Sequence, residues 1–155
     1  MMRVPYADRG MSAVSNTFSN NVKRINMSEE LGRVAFIGLG VMGYPMAGHL
    51  AKRASAVTVF NRTAAKANQW EEDHGPSQAT CVSATTPKAA AAAADIVFVC
   101  VGNDDDVAEV VLGADGALAG MSSGSLLVDH TTASQALAQK LGAACAVKSI
   151  GFLDA

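Results

Sequence analysis

The sequence predicts a doubly wound α/β domain, a parallel sheet of about six strands covered by helices on both faces, and three observations carry that prediction. From Arg33 onward, short and nearly continuous apolar runs alternate with helical segments, as strands buried on both faces and joined by crossover helices require. A glycine cluster, Gly38-Leu39-Gly40-Val41-Met42-Gly43, stands where the first run ends and the first helix begins. The composition agrees: 155 residues suit one domain, and half are hydrophobic while 17% are charged, which separates the chain from disordered sequences.

The elements follow in order. Val34 to Ile37 reads as the first strand, and a helix from about Val41 to Arg53 carries Met42, Met46, His49, Leu50 and Arg53 near helical spacing. Ala56 to Phe60 is the second strand, followed by a helix from Thr63 to about Asp73 with Thr63 as its N-cap. A weak third strand lies near Thr80 to Val82. The next helix, Thr86 to Ala94, has a capping threonine, Pro87 at its first position and six consecutive alanines. Ile96 to Val101 is the fourth strand. Asp104, Asp105 and Asp106 resemble metal ligands, but they fit better as the acidic first turn of a helix through Val111, where they oppose the helix dipole. Leu126 to Val128 and Ser149 to Leu153 supply two more strands, separated by a helix from Ala133 to Ala146 capped near Thr131 or Thr132.

Composition also excludes. Three cysteines without paired spacing suit neither a disulfide framework nor a zinc knuckle, no metal site is visible, and a reducing, cytoplasmic setting is expected. No run approaches the roughly 20 apolar residues that span a bilayer, so no membrane partner is expected. A net charge of -2 with 5% aromatic residues argues against nucleic acid and leaves small ligands. Residues 1 to 28 stand apart, with Arg3, Arg9, Lys23 and Arg24 against Asp8 alone. This extension, taken as residues 1–31, reads as a mitochondrial or plastid targeting segment, a disordered tail, or a start drawn upstream of Met27-Ser28-Glu29-Glu30; the last two readings outweigh the first. Residues 32–155 form the folded domain.

The glycine cluster is a G-x-G-x-x-G between a strand and a helix, the dinucleotide-binding fingerprint in its required context. Gly38 permits a tight turn, Gly40 lets backbone approach a diphosphate, and Gly43 lets helix pack on strand. The helix N-terminus then meets the anion with its free N–H groups. About 20 residues on, where an acid would hold a free ribose 2′-hydroxyl, the chain reads Asn61-Arg62-Thr63. Arg62 can pair with a 2′-phosphate and Thr63 can donate to it, which favours NADP over NAD; the plainer alternative is an exposed arginine beside a helix cap. Cys100 suits a core position better than a nucleophile, and His49 and His74 suit surface or packing roles. His130 follows the carboxyl end of the fifth strand, where such sheets place their ligand crevice, so a general-base reading stands behind a structural one.

The segment Phe36-Ile-Gly-Leu-Gly-Val-Met-Gly-Tyr-Pro-Met-Ala-Gly-His-Leu50 closely resembles the N-terminal signature of the β-hydroxyacid dehydrogenases, which include 3-hydroxyisobutyrate dehydrogenase, tartronate semialdehyde reductase and, more distantly, 6-phosphogluconate dehydrogenase. Asn61-Arg62-Thr63, Cys100-Val101-Gly102, Asp129-His130-Thr131-Thr132 and Gly151-Phe-Leu-Asp-Ala155 are similar to further family segments in the same order. The resemblance, from about Gly32 to Ala155, implies a Rossmann-fold NADP-binding domain. It implies that Val101 and Gly102 line the nicotinamide half of the site, that Asp106 and Thr132 contact cofactor, and that Thr131 lies near the substrate carboxylate. Gly102 in place of the family's Pro, and His130 beside the threonines, are departures.

The resemblance also implies what to expect beyond Ala155. The family's helical second domain, its substrate loop and its general acid/base lysine fall past that residue, and Lys140 and Lys148 do not match the lysine. No catalytic residue is therefore expected within this chain, which alone should be inactive. The complete enzyme would interconvert a small 3-hydroxy acid and its semialdehyde as a homo-oligomer. An imine reductase resembles the chain through the glycine turn and Asn61-Arg62-Thr63, and a non-catalytic NADP-binding module is the third reading.

Overall fold

The computed structural model describes residues 31–75 and 79–155; the N-terminal extension through residue 30, with its targeting reading, lies outside the described residues. The described chain runs β1 (Leu31–Ile37), α1 (Gly43–Leu50), β2 (Ala54–Phe60), α2 (Ala64–His74), β3 (Thr80–Ser83), α3 (Pro87–Ala91), β4 (Ile96–Val99), α4 (Asp104–Leu112), α5 (Ala117–Gly120), β5 (Leu126–Asp129), α6 (Gln135–Val147) and β6 (Gly151–Asp154). The expected doubly wound sheet is present. Its order is β3-β2-β1-β4-β5-β6 and every neighbouring pair is parallel. The winding reverses between β1 and β4, and ligands of such sheets bind outside the carboxyl ends of the strands at that reversal.

The period of two along each strand makes two cores. Val34 and Phe36 face α1 and α2, where Ala47, Ala51, Ala67 and Trp70 close over Val57 and Val59. Ala35 and Ile37 face the opposite layer, where Val107, Val111, Leu141 and Cys145 close over Val97, Val99 and Leu127. Each buried Val, Leu, Ile or Phe side chain contributes roughly 1.5–3 kcal/mol. Trp70 donates its indole N–H to the carbonyl of Tyr44 at 3.2 Å and stacks on His74 with ring centroids 4.5 Å apart, so His74 is a packing residue of the α1–α2 layer. His49 lies exposed on α1.

Several element ends differ from expectation, each for a physical reason. The alanine run stays helical only to Ala91, because the Asp95 N–H must reach the Arg33 carbonyl to open β4. The first helix ends at Leu50, not Arg53: Lys52 and Arg53 bond back to His49 and Leu50 in a tighter turn, and the Arg53 carbonyl accepts from Leu31 at the head of β1. The last helix is capped by Ser134, whose hydroxyl accepts from the Leu137 N–H at 3.2 Å, and not by Thr131 or Thr132. Helix α5 was not anticipated; four residues are too few to show a period. Thr86 caps α3 as expected, accepting from the Ala89 N–H at 3.0 Å. Among the described residues no helix is long and apolar enough to cross a membrane, and no group of three His, Cys, Asp or Glu side chains could hold a metal ion.

Candidate functional site

The glycine turn follows directly from local geometry. Gly38 has φ 97°, a conformation that side chains rarely adopt, and a Cβ there would lie 2.2 Å from the Cys100 carbonyl oxygen. A Cβ on Gly43 would lie 1.9 Å from the Gly38 carbonyl oxygen, so α1 can start this close to β1 only without a side chain. Gly40 differs: its Cβ would meet no protein atom within 4 Å, although the residue lines a cleft. A backbone cradle with room above it is what a diphosphate needs. No side chain caps α1; in its first turn the Tyr44 N–H donates to the Gly40 carbonyl at 3.1 Å and Pro45 has no N–H, so Gly43 is the residue of that turn whose N–H borders the cleft.

The cleft, about 760 Å³, runs along the carboxyl ends of β1, β2 and β4 at the winding reversal. It brings together Gly38, Gly40, Val41, Met42 and Gly43 from the first turn, Asn61, Arg62 and Thr63 from the second, and Val101, Gly102 and Asp106 after β4. Val41 is 91% and Met42 64% exposed there, unusual for apolar side chains without a partner. Leu39 behaves differently from its neighbours: its side chain is buried in the core, and its N–H donates to Asn61 Oδ1 at 3.0 Å. Asn61 also donates from Nδ2 to the Thr63 carbonyl at 3.1 Å, tying both turns together.

Charge is concentrated at one end. No acid follows β2; Arg62 reaches across to Asp106, with Nη1 3.0 Å from Oδ1. Asp106 lies in the first turn of α4, whose cap is Asn103, accepting from the Asp106 N–H at 3.0 Å. In the same acidic triplet, Asp104 accepts hydrogen bonds from the hydroxyl and N–H of Ser134, and these hold its carboxyl below the usual range.

Beyond β5, Thr131 is buried and accepts from the Val101 N–H at 3.1 Å, while its own N–H donates to Asp129 Oδ1 at 2.9 Å. Thr132 is exposed, and neither threonine lines the cleft. Burial pushes the Asp129 carboxyl upward, aided by Asp154 and opposed by the Thr131 hydrogen bonds and His130. Burial, with Asp129 nearby, also pushes the Cys100 thiol up, which keeps it protonated and unsuited to nucleophilic attack. His130 stacks on Phe98, centroids 5.9 Å apart, in a shallow groove with Phe36, Met46, His49 and Leu50. That groove is separate from the cleft, so the structure supports the packing reading of His130.

Sequence reasoning missed Lys66, Glu109 and the 113–116 loop, all of which line the cleft. Lys66 could have been found, since it stands three residues after Thr63 on the same helical face. The loop could not: it is placed by a tertiary bond from the Lys88 N–H to the Asp115 carbonyl at 2.9 Å.

Comparison with known proteins agrees with this geometry. Residues 33–155 match the family model of the NAD binding domain of 6-phosphogluconate dehydrogenase. The chain is 56% identical over 125 residues to a protein of Shewanella frigidimarina described as an uncharacterized oxidoreductase, covering 81% of this chain and 41% of that protein. It is 38% identical over 145 residues to an Arabidopsis thaliana protein named "Probable 3-hydroxyisobutyrate dehydrogenase-like 1, mitochondrial", covering 93% of this chain and 40% of that one. Among solved structures, 3-hydroxyisobutyrate dehydrogenase of Mycobacterium tuberculosis with L-serine superposes with a TM-score of 0.68 at 26% identity, over 80% of this chain and 40% of the other. An imine reductase of Myxococcus stipitatus in complex with NADP+ superposes with a TM-score of 0.67 at 27% identity, over 79% and 39%. The chain thus spans about two fifths of the length of these relatives. It belongs to the family of the NAD-binding domain of 6-phosphogluconate dehydrogenase, the wider group of the β-hydroxyacid dehydrogenases that its signature resembles.

Proposed function

We propose that this chain is the NADP-binding domain of an oxidoreductase that interconverts a small 3-hydroxy acid and its semialdehyde by hydride transfer. The observation that carries the cofactor reading is the end of β2, where Arg62 and Thr63 stand beside the cleft in place of an acid, with Lys66 one turn further on. The glycine turn and the α1 N-terminus hold the diphosphate, and Arg62 and Thr63 hold the 2′-phosphate. Val101 borders the nicotinamide half, with Thr131, outside the cleft, fixing the Val101 N–H. When bound, the nicotinamide supplies or accepts the hydride; the protein's part is to bind and orient it. Hydride transfer to a carbonyl also needs a proton donor within hydrogen-bond reach of its oxygen.

The imine reductase is the second reading, because that structure, solved with NADP+, superposes as well as the hydroxyacid dehydrogenase does. Calorimetric titration of the full chain with NADP+ and NAD+ tests the cofactor reading: tighter binding of NADP+ supports it, and equal or weaker binding overturns it. Oxidation of NADPH by the longest natural form of the protein, offered semialdehydes and cyclic imines in parallel, separates the two substrate classes. Faster imine turnover would overturn the hydroxyacid reading.

A further inference from the structure

Two residues on opposite walls of the cleft neutralise each other. The Arg62–Asp106 pair joins the end of β2 to the first turn of α4 across 44 residues of sequence. The Arg62 side chain is 80% exposed and that of Asp106 24%, so the short carboxylate is the anchored partner and the guanidinium the movable one. The anchoring depends on Gly102: a Cβ there would lie 2.7 Å from Asp106 Oδ2, so the carboxylate occupies room that a bare Cα leaves.

We propose that Asp106 is a resident counter-ion that occupies Arg62 in the free protein and opposes a dinucleotide's phosphate there, so that Asp106 and Gly102 together set how strongly a 2′-phosphorylated dinucleotide is preferred. The inference rests on the reading of the cleft as an NADP site. A carboxylate and a phosphate compete for the same planar fork of donors. Whether the phosphate takes Nη1 from Asp106 or binds the remaining donors with the carboxylate a few ångströms away, the carboxylate weakens its hold. An unphosphorylated dinucleotide presents only a hydroxyl at this end and leaves the pair intact. Asp106 therefore restrains NADP and barely affects NAD.

The test is calorimetric titration of NADP+ and NAD+ into the full chain and its variants at fixed ionic strength. Asp106→Asn should tighten NADP+ roughly three- to fivefold, the scale of an exposed ion pair, and leave NAD+ unchanged; added salt should shrink the difference. Gly102→Ala, which presses the carboxylate away from its seat without removing it, should shift NADP+ in the same direction. Asp105→Asn, an equal change of net charge outside the cleft, should do neither. Weaker or unchanged NADP+ binding in Asp106→Asn, or the same gain in Asp105→Asn, overturns the counter-ion role while leaving the cofactor reading standing. Failure of the unsubstituted chain to bind either dinucleotide overturns that reading and this inference with it.

Discussion

The backbone N–H of Leu39 donates to the side chain of Asn61 at 3.0 Å, so the residue that follows β2 fixes the glycine turn that follows β1. Leu39 is fully buried, and an unpaired N–H there would be costly. Asn61→Leu should destabilise the chain by about 1–3 kcal/mol and weaken dinucleotide binding. Asn61→Asp keeps the acceptor, so it should spare most of the stability while repelling a 2′-phosphate. Urea denaturation and NADP+ titration of both variants separate the two effects.

Arg62 is exposed and joined only to Asp106 by an ion pair among the described residues, so its removal should cost little stability. Arg62→Ala should weaken NADP+ binding about tenfold or more, the scale of a charge-assisted hydrogen bond, with NAD+ binding nearly unchanged. The ratio of the two dissociation constants, measured by calorimetry, checks this.

Gly43→Ala would force a Cβ to 1.9 Å from the Gly38 carbonyl, a backbone atom that cannot swing aside. Destabilisation of about 1–3 kcal/mol is expected, with loss of cofactor binding as the turn opens. Gly40→Ala meets no protein atom, so it should leave the thermal midpoint nearly unchanged and impair binding alone.

Asp129 is raised above the usual aspartate range, chiefly by burial. Between the ordinary value of the unfolded chain and the raised folded value, the native state holds the proton more tightly, so stability falls as pH rises through that window. Asp129→Asn keeps the carbonyl oxygen that accepts from the Thr131 N–H and removes the ionisation. Its denaturation midpoint relative to the unsubstituted chain should therefore improve as pH rises from below the aspartate range towards neutrality. A constant difference across pH would contradict the assignment.

Strands β1, β2, β4 and β5 were legible because burial on both faces makes them continuous apolar runs, and the glycine turn because its spacing meets three separate steric demands. Arg62 and Thr63 were legible from their distance to that turn. The Arg62–Asp106 pair was not, since nothing local links the end of β2 to α4. Nor were the real cap of α6 and the place of His130. Thr131 looked free to cap the helix because sequence does not reveal that its hydroxyl accepts from Val101, and the His130 ring is set by its stacking on Phe98 across two strands. Residues paired across the sheet are invisible to local spacing.

Amide-resonance mapping of the full chain during NADP+ titration locates the site residue by residue. Binding at the winding reversal predicts shifts at the Gly38–Gly43 turn, at Asn61, Arg62 and Thr63, and at Val101, Gly102 and Asp106, with His49, Phe98 and His130 on the separate groove unmoved. Shifts confined to that groove, or none at saturating NADP+, would contradict the assignment of the cleft as a dinucleotide site.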